Sequence, residues 1–277
     1  MPTNYQAQVK MTPKTQSSRV SREGAPVKTA LRNESATRQT GPISVRSTPV
    51  SVHHLAAETQ AIESLVASCN GHTPGRTYAF AKRALDLVLG SVLLIAAAPI
   101  VLIAAVAICV DTQGSPFFFQ TRIGKHGKPF TIFKLRGMFI DARARFPEYY
   151  DYSKKRDLEF CFHHEEDPRV TRAGRFIRKT SIDELPNLWN VLTGDVSLVG
   201  PRPEIPEVIA LYGPYREEYL SVKPGITCLS KVTGRDRLTK KETIEFDLTY
   251  IRKHCFLMDL KIIWRTFCNV VLRRDVY

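Results

Sequence analysis

The chain has 277 residues, 43% of them hydrophobic, and a formal net charge of +13. A charge this positive favours a negatively charged partner, such as nucleic acid, an anionic membrane surface or a phosphorylated substrate. No Walker-type Gly-x-x-x-x-Gly-Lys-Ser/Thr motif occurs, and no Gly-x-Gly-x-x-Gly motif follows a predicted strand. The sequence therefore gives no indication of a P-loop ATPase or of a Rossmann cofactor site.

Six cysteines are scattered along the chain without a Cys-x-x-Cys pair. Their spacing argues against a zinc ribbon and against the disulfide framework of a small secreted domain. We expect all six to be reduced, in a protein that faces the cytosol.

Residues 1–52 are rich in Ser, Thr, Pro, Gln and Arg and nearly free of aromatic residues. Such a segment buries too little apolar surface to offset its ordering entropy. We predict a disordered basic tail over residues 1–75, in which residues 55–69 have the spacing of a short amphipathic helix. A transit peptide is the alternative for the opening residues, although no clear amphipathic helix begins the chain.

Residues 87–110 contain no charged side chain. As a helix this stretch is roughly 36 Å long, which is enough to cross a hydrocarbon core of about 30 Å. We predict a membrane-inserted helix over residues 76–112, with a buried core helix as the alternative. Pro99 lies in its middle and favours a kink.

Positive charge lies on both sides of the apolar stretch, with Lys82 and Arg83 before it and a basic domain after it. Basic flanks favour the cytoplasmic side of a membrane. A helix that enters the membrane, bends near Pro99 and returns to the same face places both flanks there. We predict this re-entrant arrangement, with a straight spanning helix as the alternative.

Residues 113–277 are predicted to form a cytoplasmic α+β domain, mostly helical with one short β-hairpin. Aromatic and β-branched residues at 117–123 and 130–135 flank a loop of about five residues that contains glycine, which is typical of a hairpin. The phenylalanines at 117–119 could instead rest in the membrane interface.

Two later stretches have helical rhythm. Residues 141–160 predict one or two surface helices. Residues 242–272 are apolar at helical spacing, with an interruption near His254. We predict C-terminal amphipathic helices there, whose apolar face contacts either the membrane interface or the protein core.

The adjacent carboxylates Asp183 and Glu184 lie just before Pro186. If Ser181 caps the following helix, Glu184 completes a capping box and is purely structural. Pro186 then falls inside the helix, where its missing N–H breaks the hydrogen-bond ladder, so Asp183 is the better candidate for the cap. The pair would then stand at the positive end of a helix that runs through Leu192, an end that favours bound phosphate.

Adjacent carboxylates at such a position have two chemical uses. One can attack phosphorus as a nucleophile, and the other can hold a divalent cation that neutralises phosphate charge. The spacing alone is equally compatible with two acidic residues that merely decorate the start of a helix.

Arginines surround this pair in the sequence. Arg169, Arg172, Arg175 and Arg178 recur every third residue before it, and Arg202 follows it between two prolines. The planar guanidinium suits phosphate oxygens, and flanking prolines restrict the backbone of Arg202. We predict that Arg178 and Arg202 bind phosphate; the alternatives are a solvated helix face for the first four and a plain rigid loop for the last.

Two other acidic places are weaker candidates for metal ligands. Residues 163–167 hold two histidines and three acids, but consecutive side chains point in different directions, so we favour a solvated loop. Asp195 is either a second ligand or, with Gly194, part of a turn that ends the helix.

The ordered set of motifs from about residue 78 to 275 resembles the bacterial sugar transferase family, the polyprenyl-phosphate hexose-1-phosphate transferases or monotopic phosphoglycosyl transferases. The motifs are Lys82-Arg83-x-x-Asp86, Gln120-x-Arg122-x-Gly124-x-x-Gly127-Lys128-Pro129-Phe130, Phe133-Lys134-x-Arg136-x-Met138, Asp183-Glu184-Leu185-Pro186, Gly200-Pro201-Arg202-Pro203-Glu204, Lys223-Pro224-Gly225-Ile226-Thr227, Val232-x-Gly234-Arg235 and Asp259-Leu260-Lys261-Ile262.

The resemblance implies transfer of a sugar 1-phosphate from a UDP-hexose to undecaprenyl phosphate, with release of UMP. Asp183 would attack the β-phosphate, and Glu184 would serve Mg²⁺. Among the remaining motif residues, we expect Lys134, Arg136 and Arg235 to bind phosphate alongside the two arginines already named.

The resemblance also implies a place in the cell. The helix would break at Pro99, and the catalytic domain would lie on the cytoplasmic face of the bacterial inner membrane. The reaction would begin exopolysaccharide, capsule or O-glycan assembly, with a homo-oligomer or downstream glycosyltransferases as possible partners.

This chain departs from the family pattern at four places. Ala98 stands where a serine often precedes the proline, Gly137 replaces a threonine, Asn187 replaces a glutamine, and residues 228–231 replace a Gly-Leu-x-Gln sequence. None of these changes removes the expected nucleophile. A non-catalytic membrane-bound scaffold or regulator is the alternative function. A nucleic-acid-binding protein is disfavoured, because no recognisable binding motif is present.

Overall fold

The computed structural model describes Cys69, residues 75–152, 158, 160, 167–234 and 238–271. The predicted tail and the helix over 55–69 lie outside the described residues, apart from Cys69 and Gly75. The cluster at 163–167, apart from Asp167, and the predicted phosphate ligand Arg235 lie outside them as well.

Within the described residues the fold is mostly helical, with two small sheets. The α-helices are α1 (Arg76–Asp111), α2 (Ala142–Arg145), α3 (Arg172–Lys179), α4 (Leu188–Thr193), α5 (Pro206–Ile209), α6 (Arg216–Tyr219), α7 (Leu229–Thr233), α8 (Lys240–Lys253) and α9 (Phe256–Val271). The strands are β1 (Phe117–Ile123), β2 (Pro129–Leu135), β3 (Ser197–Val199) and β4 (Gly225–Thr227). Short 3-10 segments lie at Lys125–Gly127, Pro147–Tyr150, Ile182–Asn187 and Ala210–Tyr215.

Helix α1 is one continuous element of 36 residues that contains Pro99. It is long and apolar enough to cross a membrane, with a mean hydropathy of 3.0 over its most apolar stretch. Large apolar side chains along it are exposed, including Val88, Ile95, Ile103 and Val110. An exposed apolar surface of this size indicates contact with lipid or with another apolar partner.

Both ends of α1 are fixed to the same folded unit. Near its start, Asp86 Oδ1 accepts a hydrogen bond from the Leu198 backbone N–H across 2.8 Å. At its end, Asp111 Oδ2 accepts one from the Ala173 backbone N–H across 2.9 Å. Between them α1 packs closely on α4, because a Cβ on Gly90 would lie only 3.3 Å from Val191 Cγ1.

The predicted hairpin is confirmed. Strands β1 and β2 pair antiparallel from Phe117 opposite Leu135 to Ile123 opposite Pro129. The parallel pair of β3 and β4 was not predicted. Each strand has only three residues, too few for a readable alternation, and the pair forms where glycines allow close approach: a Cβ on Gly200 would lie 2.4 Å from Lys223 O.

The C-terminal helices are confirmed, with α8 and α9 meeting at the predicted break. Thr239 accepts a hydrogen bond from Glu242 N and so caps α8, as N-terminal hydroxyl residues do. Helix α9 presents exposed aromatic residues, Trp264 and Phe267. Residues 141–160 hold only one helical turn in α2 and one 3-10 segment among those described.

The expectation of six reduced cysteines is wrong for one pair. A disulfide joins Cys69 to Cys255. Cys109, Cys228 and Cys268 are free. The two bonded residues are 186 positions apart, so spacing gave no indication that folding brings them together.

Candidate active site

Glu184 is held by two lysines from different elements. Lys134 Nζ on β2 lies 2.9 Å from Oε1, and Lys231 Nζ on α7 lies 2.5 Å from Oε2. Burial alone would raise the pKa of Glu184, but Lys134, Lys231 and Arg202 together hold that pKa well below its usual range. Glu184 is therefore a fixed negative charge in a cationic surrounding.

Asp183 has the opposite environment. Its carboxylate is half-buried, and no side chain or backbone group in the described part of the chain donates a hydrogen bond to it. Burial, followed by the charge of Glu184, raises the pKa of Asp183, although Lys134 and Lys231 oppose that shift. One member of the dyad is thus pinned, and the other keeps its oxygens available.

The prediction that Asp183 caps a helix is wrong, and the capping box at Ser181 does not form either. The dyad lies inside the 3-10 segment Ile182–Asn187, which precedes α4, and Ser181 at its start makes no side-chain cap. Ser181 instead adopts a left-handed backbone with φ of 57°. Because Pro186 cannot continue an α-helical ladder, the chain takes a tight turn there before α4 begins.

The loop of residues 201–204, here called the proline–arginine loop, is held from both sides. From β1, Arg122 Nη1 donates to Pro203 O across 3.0 Å. From α8, buried Lys240 pairs with buried Glu204, and Asp247 Oδ2 accepts from Arg202 N across 3.0 Å. These contacts fix the backbone that carries Arg202, and the charge of this arginine helps to lower the pKa of Glu184.

The side-chain carboxylate of Asp247 anchors the proline–arginine loop. Its Oδ2 lies 2.8 Å from the Tyr219 hydroxyl, and its Oδ1 accepts from Ser230 Oγ across 2.9 Å. The Tyr219 hydroxyl also lies 2.9 Å from Arg202 O and donates to one of these two acceptors. Burial raises the pKa of Asp247 in spite of its hydrogen bonds.

Arg178 lies close enough to the dyad for its charge to act on Asp183. It lies in the last turn of α3, whose N-terminus is capped by Thr171. Its Nη1 is 3.8 Å from Asp167 Oδ2, and its charge acts to lower the pKa of Asp183. The side chain passes over Gly137, where a Cβ would lie 3.1 Å from Arg178 Cδ. Because position 137 is a glycine, there is room for the Arg178 side chain to pass over it.

Several other predicted charged residues lie within the described part of the chain but are not brought to the dyad. Arg136 is buried and donates to backbone carbonyls just after α1, with Nε 2.7 Å from Ser115 O and Nη2 3.1 Å from Thr112 O. Arg172 and Arg175 are exposed, as the solvated alternative expects. Asp195 is exposed and bonds to Thr193 just after Gly194, whose φ of 90° ends α4.

An apolar groove of about 720 Å³ begins beside the dyad. Pro186 and Trp189 form its end nearest to Glu184, and Phe117 and Phe133 of the hairpin form one wall. The other wall is α1, including Val101 and Cys109. The apolar groove therefore reaches Pro186, which is two positions along the chain from Glu184.

The sequence profile described as bacterial sugar transferase matches residues 77–273. The chain belongs to the bacterial sugar transferase family.

Named relatives of this bacterial sugar transferase are identical to it at more than a third of the aligned positions. It is 38% identical over 202 residues to undecaprenyl-phosphate galactose phosphotransferase of Salmonella typhimurium, covering 72% of this chain and 42% of the relative. It is 36% identical over 204 residues to UDP-glucose:undecaprenyl-phosphate glucose-1-phosphate transferase of Escherichia coli, covering 71% and 41%. An uncharacterized sugar transferase EpsL of Bacillus subtilis is 38% identical over 196 residues, covering 70% and 89%. The chain thus spans about two fifths of the length of the first two.

Sequence reasoning missed three residues in this bacterial sugar transferase site. Lys231 was noted only as a departure from the family pattern, and nothing in the sequence around it points to Glu184, which lies 47 positions away. Asp247 interrupts an apolar helical pattern between Phe246 and Leu248, and an acid on a buried face implies a partner. Lys240 gave no signal, because it stands in a run of charged residues.

Proposed function

We propose that this bacterial sugar transferase moves a sugar 1-phosphate from a UDP-sugar to undecaprenyl phosphate and releases UMP, the opening step of exopolysaccharide, capsule or O-glycan assembly. The observation that carries the proposal is Asp183, an available carboxylate beside a pinned glutamate and an apolar groove. The names of two relatives state undecaprenyl phosphate as a substrate, which supports the same acceptor here.

Asp183 is the proposed nucleophile. One of its oxygens attacks the β-phosphorus of the UDP-sugar, and the bond from that phosphorus to the bridging oxygen breaks, so that UMP leaves with the electron pair. The resulting acyl phosphate carries the sugar phosphate. An oxygen of undecaprenyl phosphate then attacks the same phosphorus and releases Asp183. Splitting a displacement in this way is typical of covalent catalysis.

The cations around the dyad suit the charge of both substrates. A nucleotide diphosphate and a phosphomonoester must approach the same carboxylate, so their repulsion has to be offset. Lys134, Lys231, Arg178 and Arg202 all act electrostatically on Asp183 or Glu184. We propose that the two lysines exchange contacts between Glu184 and substrate phosphate as the reaction proceeds.

We propose that the dyad also holds Mg²⁺. This ion commonly binds through one or two carboxylates and completes its shell with water and substrate phosphates. Asp183 has no donor among the described groups, and each Glu184 oxygen retains acceptor capacity beyond its one lysine contact. Glu184, with Asp183 next to it, would hold the ion, which would supply charge neutralisation at the diphosphate.

The attachment of α1 supports a re-entrant rather than a spanning helix. Asp86 near one end and Asp111 at the other both bond to the same folded unit, which favours an arrangement with both ends on one side of the bilayer. Pro99 is exposed, which agrees with a helix that enters the membrane, bends near this residue and returns to the same face. We propose that the folded unit lies on the cytoplasmic face of the inner membrane, where UDP-sugars are made.

The apolar groove supports a lipid acceptor. It follows α1 from Leu94 to Val110 and ends at Pro186, two residues from Glu184. A polyprenyl chain lying there would bring its phosphate to the cationic end. We propose this groove as the path of the isoprenoid.

The test is a trapping experiment with the full chain in detergent and a panel of UDP-hexoses, without acceptor. Wild-type protein should release one UMP per chain and gain the mass of a sugar phosphate on a peptide containing Asp183. Asp183→Asn should do neither, while Asp195→Asn, which removes an exposed carboxylate, should behave as wild type. Normal turnover by Asp183→Asn would contradict the nucleophile. Absence of any UMP release by wild type, with Mg²⁺ and undecaprenyl phosphate added, would favour a non-catalytic scaffold.

A further inference from the structure

A second basic cavity lies at the start of α1, away from the dyad. Its volume is about 440 Å³. We call it the basic pocket and define it by the cationic residues in its lining, Lys82, Arg83, Lys125 and Lys223; His254 also lines it. It lies at the C-terminal end of α4, whereas the dyad lies in the 3-10 segment that precedes α4.

Three of these charges have no carboxylate partner among the described residues. Arg83 donates only to backbone carbonyls, 2.7 Å to Val191 O and 2.9 Å to Leu192 O. The ammonium groups of Lys125 and Lys223 have neither an ion pair nor a hydrogen bond in the part of the chain that the structure describes. Lys82, in contrast, pairs with buried Asp259 across 2.9 Å.

The unpaired cations converge. Both Arg83 Nη2 and Lys223 Nζ lie close to Gly194, at 3.3 and 3.5 Å from the position that a Cβ there would occupy. Burial, Arg83 and Lys125 lower the pKa of Lys223, although Asp86 and Asp195 oppose the shift. Like charges held this close are unfavourable without an anion between them.

The pocket also has the walls and the position of a lipid headgroup site. Half-buried Tyr78 supplies an amphipathic ring to its lining, and such rings favour the membrane interface. The uncharged stretch of α1 begins at Leu87, directly after the pocket residue Asp86. A helix inserted from that point places the pocket at the level of the headgroups.

We propose that the basic pocket binds a phosphate group at the membrane surface, that of an anionic phospholipid headgroup, through Arg83, Lys125 and Lys223. Asp86 also lines the pocket; its Oδ1 accepts from Ser197 Oγ and Leu198 N, and its single negative charge leaves the three cations with a net positive charge. The bound lipid would fix how deeply α1 inserts into the membrane, and with it the distance of the active site from the bilayer surface. Inorganic phosphate carries the same phosphate group, so the experiment must distinguish binding of free phosphate from binding of the lipid headgroup. The inference does not depend on the transfer reaction.

The test measures ligand-dependent thermal stability of the full chain in an uncharged detergent. The probes are dihexanoyl phosphatidylglycerol, dihexanoyl phosphatidylcholine and inorganic phosphate. A ligand that binds only the folded state raises Tm with concentration. We expect phosphatidylglycerol to raise the Tm of wild type by about 3 °C near saturation, and the double variant Lys125→Gln/Lys223→Gln to lose that rise.

Two control variants separate this site from others. Lys128→Gln/Lys253→Gln removes the same charge at exposed positions outside the pocket and should keep the rise. Lys231→Gln alters the dyad and should keep it too, which distinguishes the pocket from the catalytic cations.

If inorganic phosphate raises Tm as much as phosphatidylglycerol does, and the pocket variant loses that rise, the site is supported and binds free phosphate as well. An equal rise with phosphatidylcholine, no rise with either anion, or a rise that survives in the pocket variant would each overturn the proposal. None of these results bears on whether Asp183 carries the sugar phosphate.

Discussion

Lys231 donates to Glu184 across 2.5 Å, from a position where the family pattern that this chain resembles has a glutamine. The contact joins α7 to the 3-10 segment of the dyad, and it complements the 2.9 Å contact from Lys134 on β2. Three separate parts of the fold therefore meet at one carboxylate. The charge around Glu184 therefore depends on residues that only the folded chain brings together.

Replacing Lys231 should weaken catalysis without abolishing it. Hydrogen bonds to charged groups contribute about 1.5–3 kcal/mol, so Lys231→Met should lower kcat/KM by roughly 10- to 100-fold. Lys231→Arg should recover part of the loss. UMP release with undecaprenyl phosphate measures both. In a double-mutant cycle with Glu184→Gln the effects should not add; simple additivity would mean that the contact is unimportant in solution.

The pH profile should depend on Asp183, which must be ionised to attack. Because its pKa is raised above the ordinary 3.8, activity should fall as pH drops through that raised pKa. Lys231 acts to lower this pKa, so Lys231→Gln should move the acid limb of kcat/KM to higher pH. Lys128→Gln, at an exposed position, should leave the limb in place. A limb that stays fixed in the Lys231 variant would contradict the electrostatic role.

The two dyad residues should have opposite effects on stability. A raised folded-state pKa means that the stability contributed by protonated Asp183 is lost as pH rises above 3.8, so at pH 7 its charge destabilises the fold. Asp183→Asn should therefore raise Tm by about 2–4 °C while removing activity.

Glu184 behaves in the reverse sense. Its lowered pKa means that its charge contributes stability at pH 7, lost as pH falls below the ordinary 4.5. Glu184→Gln should lower Tm by about 2–4 °C, and Asp195→Asn should change it little. Thermal denaturation at pH 7 checks all three, and shifts of the same sign for both dyad variants would refute this assignment.

Tyr219 should act on the reaction through Arg202. Its hydroxyl lies between Arg202 O and Asp247 Oδ2, so Tyr219→Phe removes one hydrogen bond, worth about 1 kcal/mol, from the proline–arginine loop. We expect a loss of roughly 5- to 10-fold in kcat/KM, mainly through KM. Tyr215→Phe, at an exposed position, is the matched control. A purely structural role would lower Tm and leave KM unchanged.

The topology of α1 should place both flanks on one side of the membrane. Cysteines introduced singly at Arg76 and Gln113, in a background without other reactive cysteines, should both be labelled by an impermeant maleimide only in inside-out vesicles. Arg76 is the first residue of α1, and Gln113 lies two positions after its last residue. Labelling from opposite sides would replace the re-entrant proposal with a spanning one.

The sequence alone determined the local features of this protein. The uncharged stretch predicted α1, aromatic and β-branched residues around a glycine-containing loop predicted the hairpin, and the spacing of apolar residues predicted α8 and α9. The order of the motifs was enough for the family, and with it the expectation that Asp183 and Glu184 lie at the site. Each of these depends on residues that are near one another in the chain.

Only the tertiary structure decided how the charges are paired. Arg136 and Arg178 both belong to basic motifs, yet one binds carbonyls after α1 and the other acts through its charge on Asp183. Lys231 lies 47 positions from Glu184, and Cys69 lies 186 from Cys255. The direction of a pKa shift depends on burial and on charges from distant elements, which no spacing rule contains. For that reason the sequence identified the dyad, and the fold distinguished its pinned glutamate from its available aspartate.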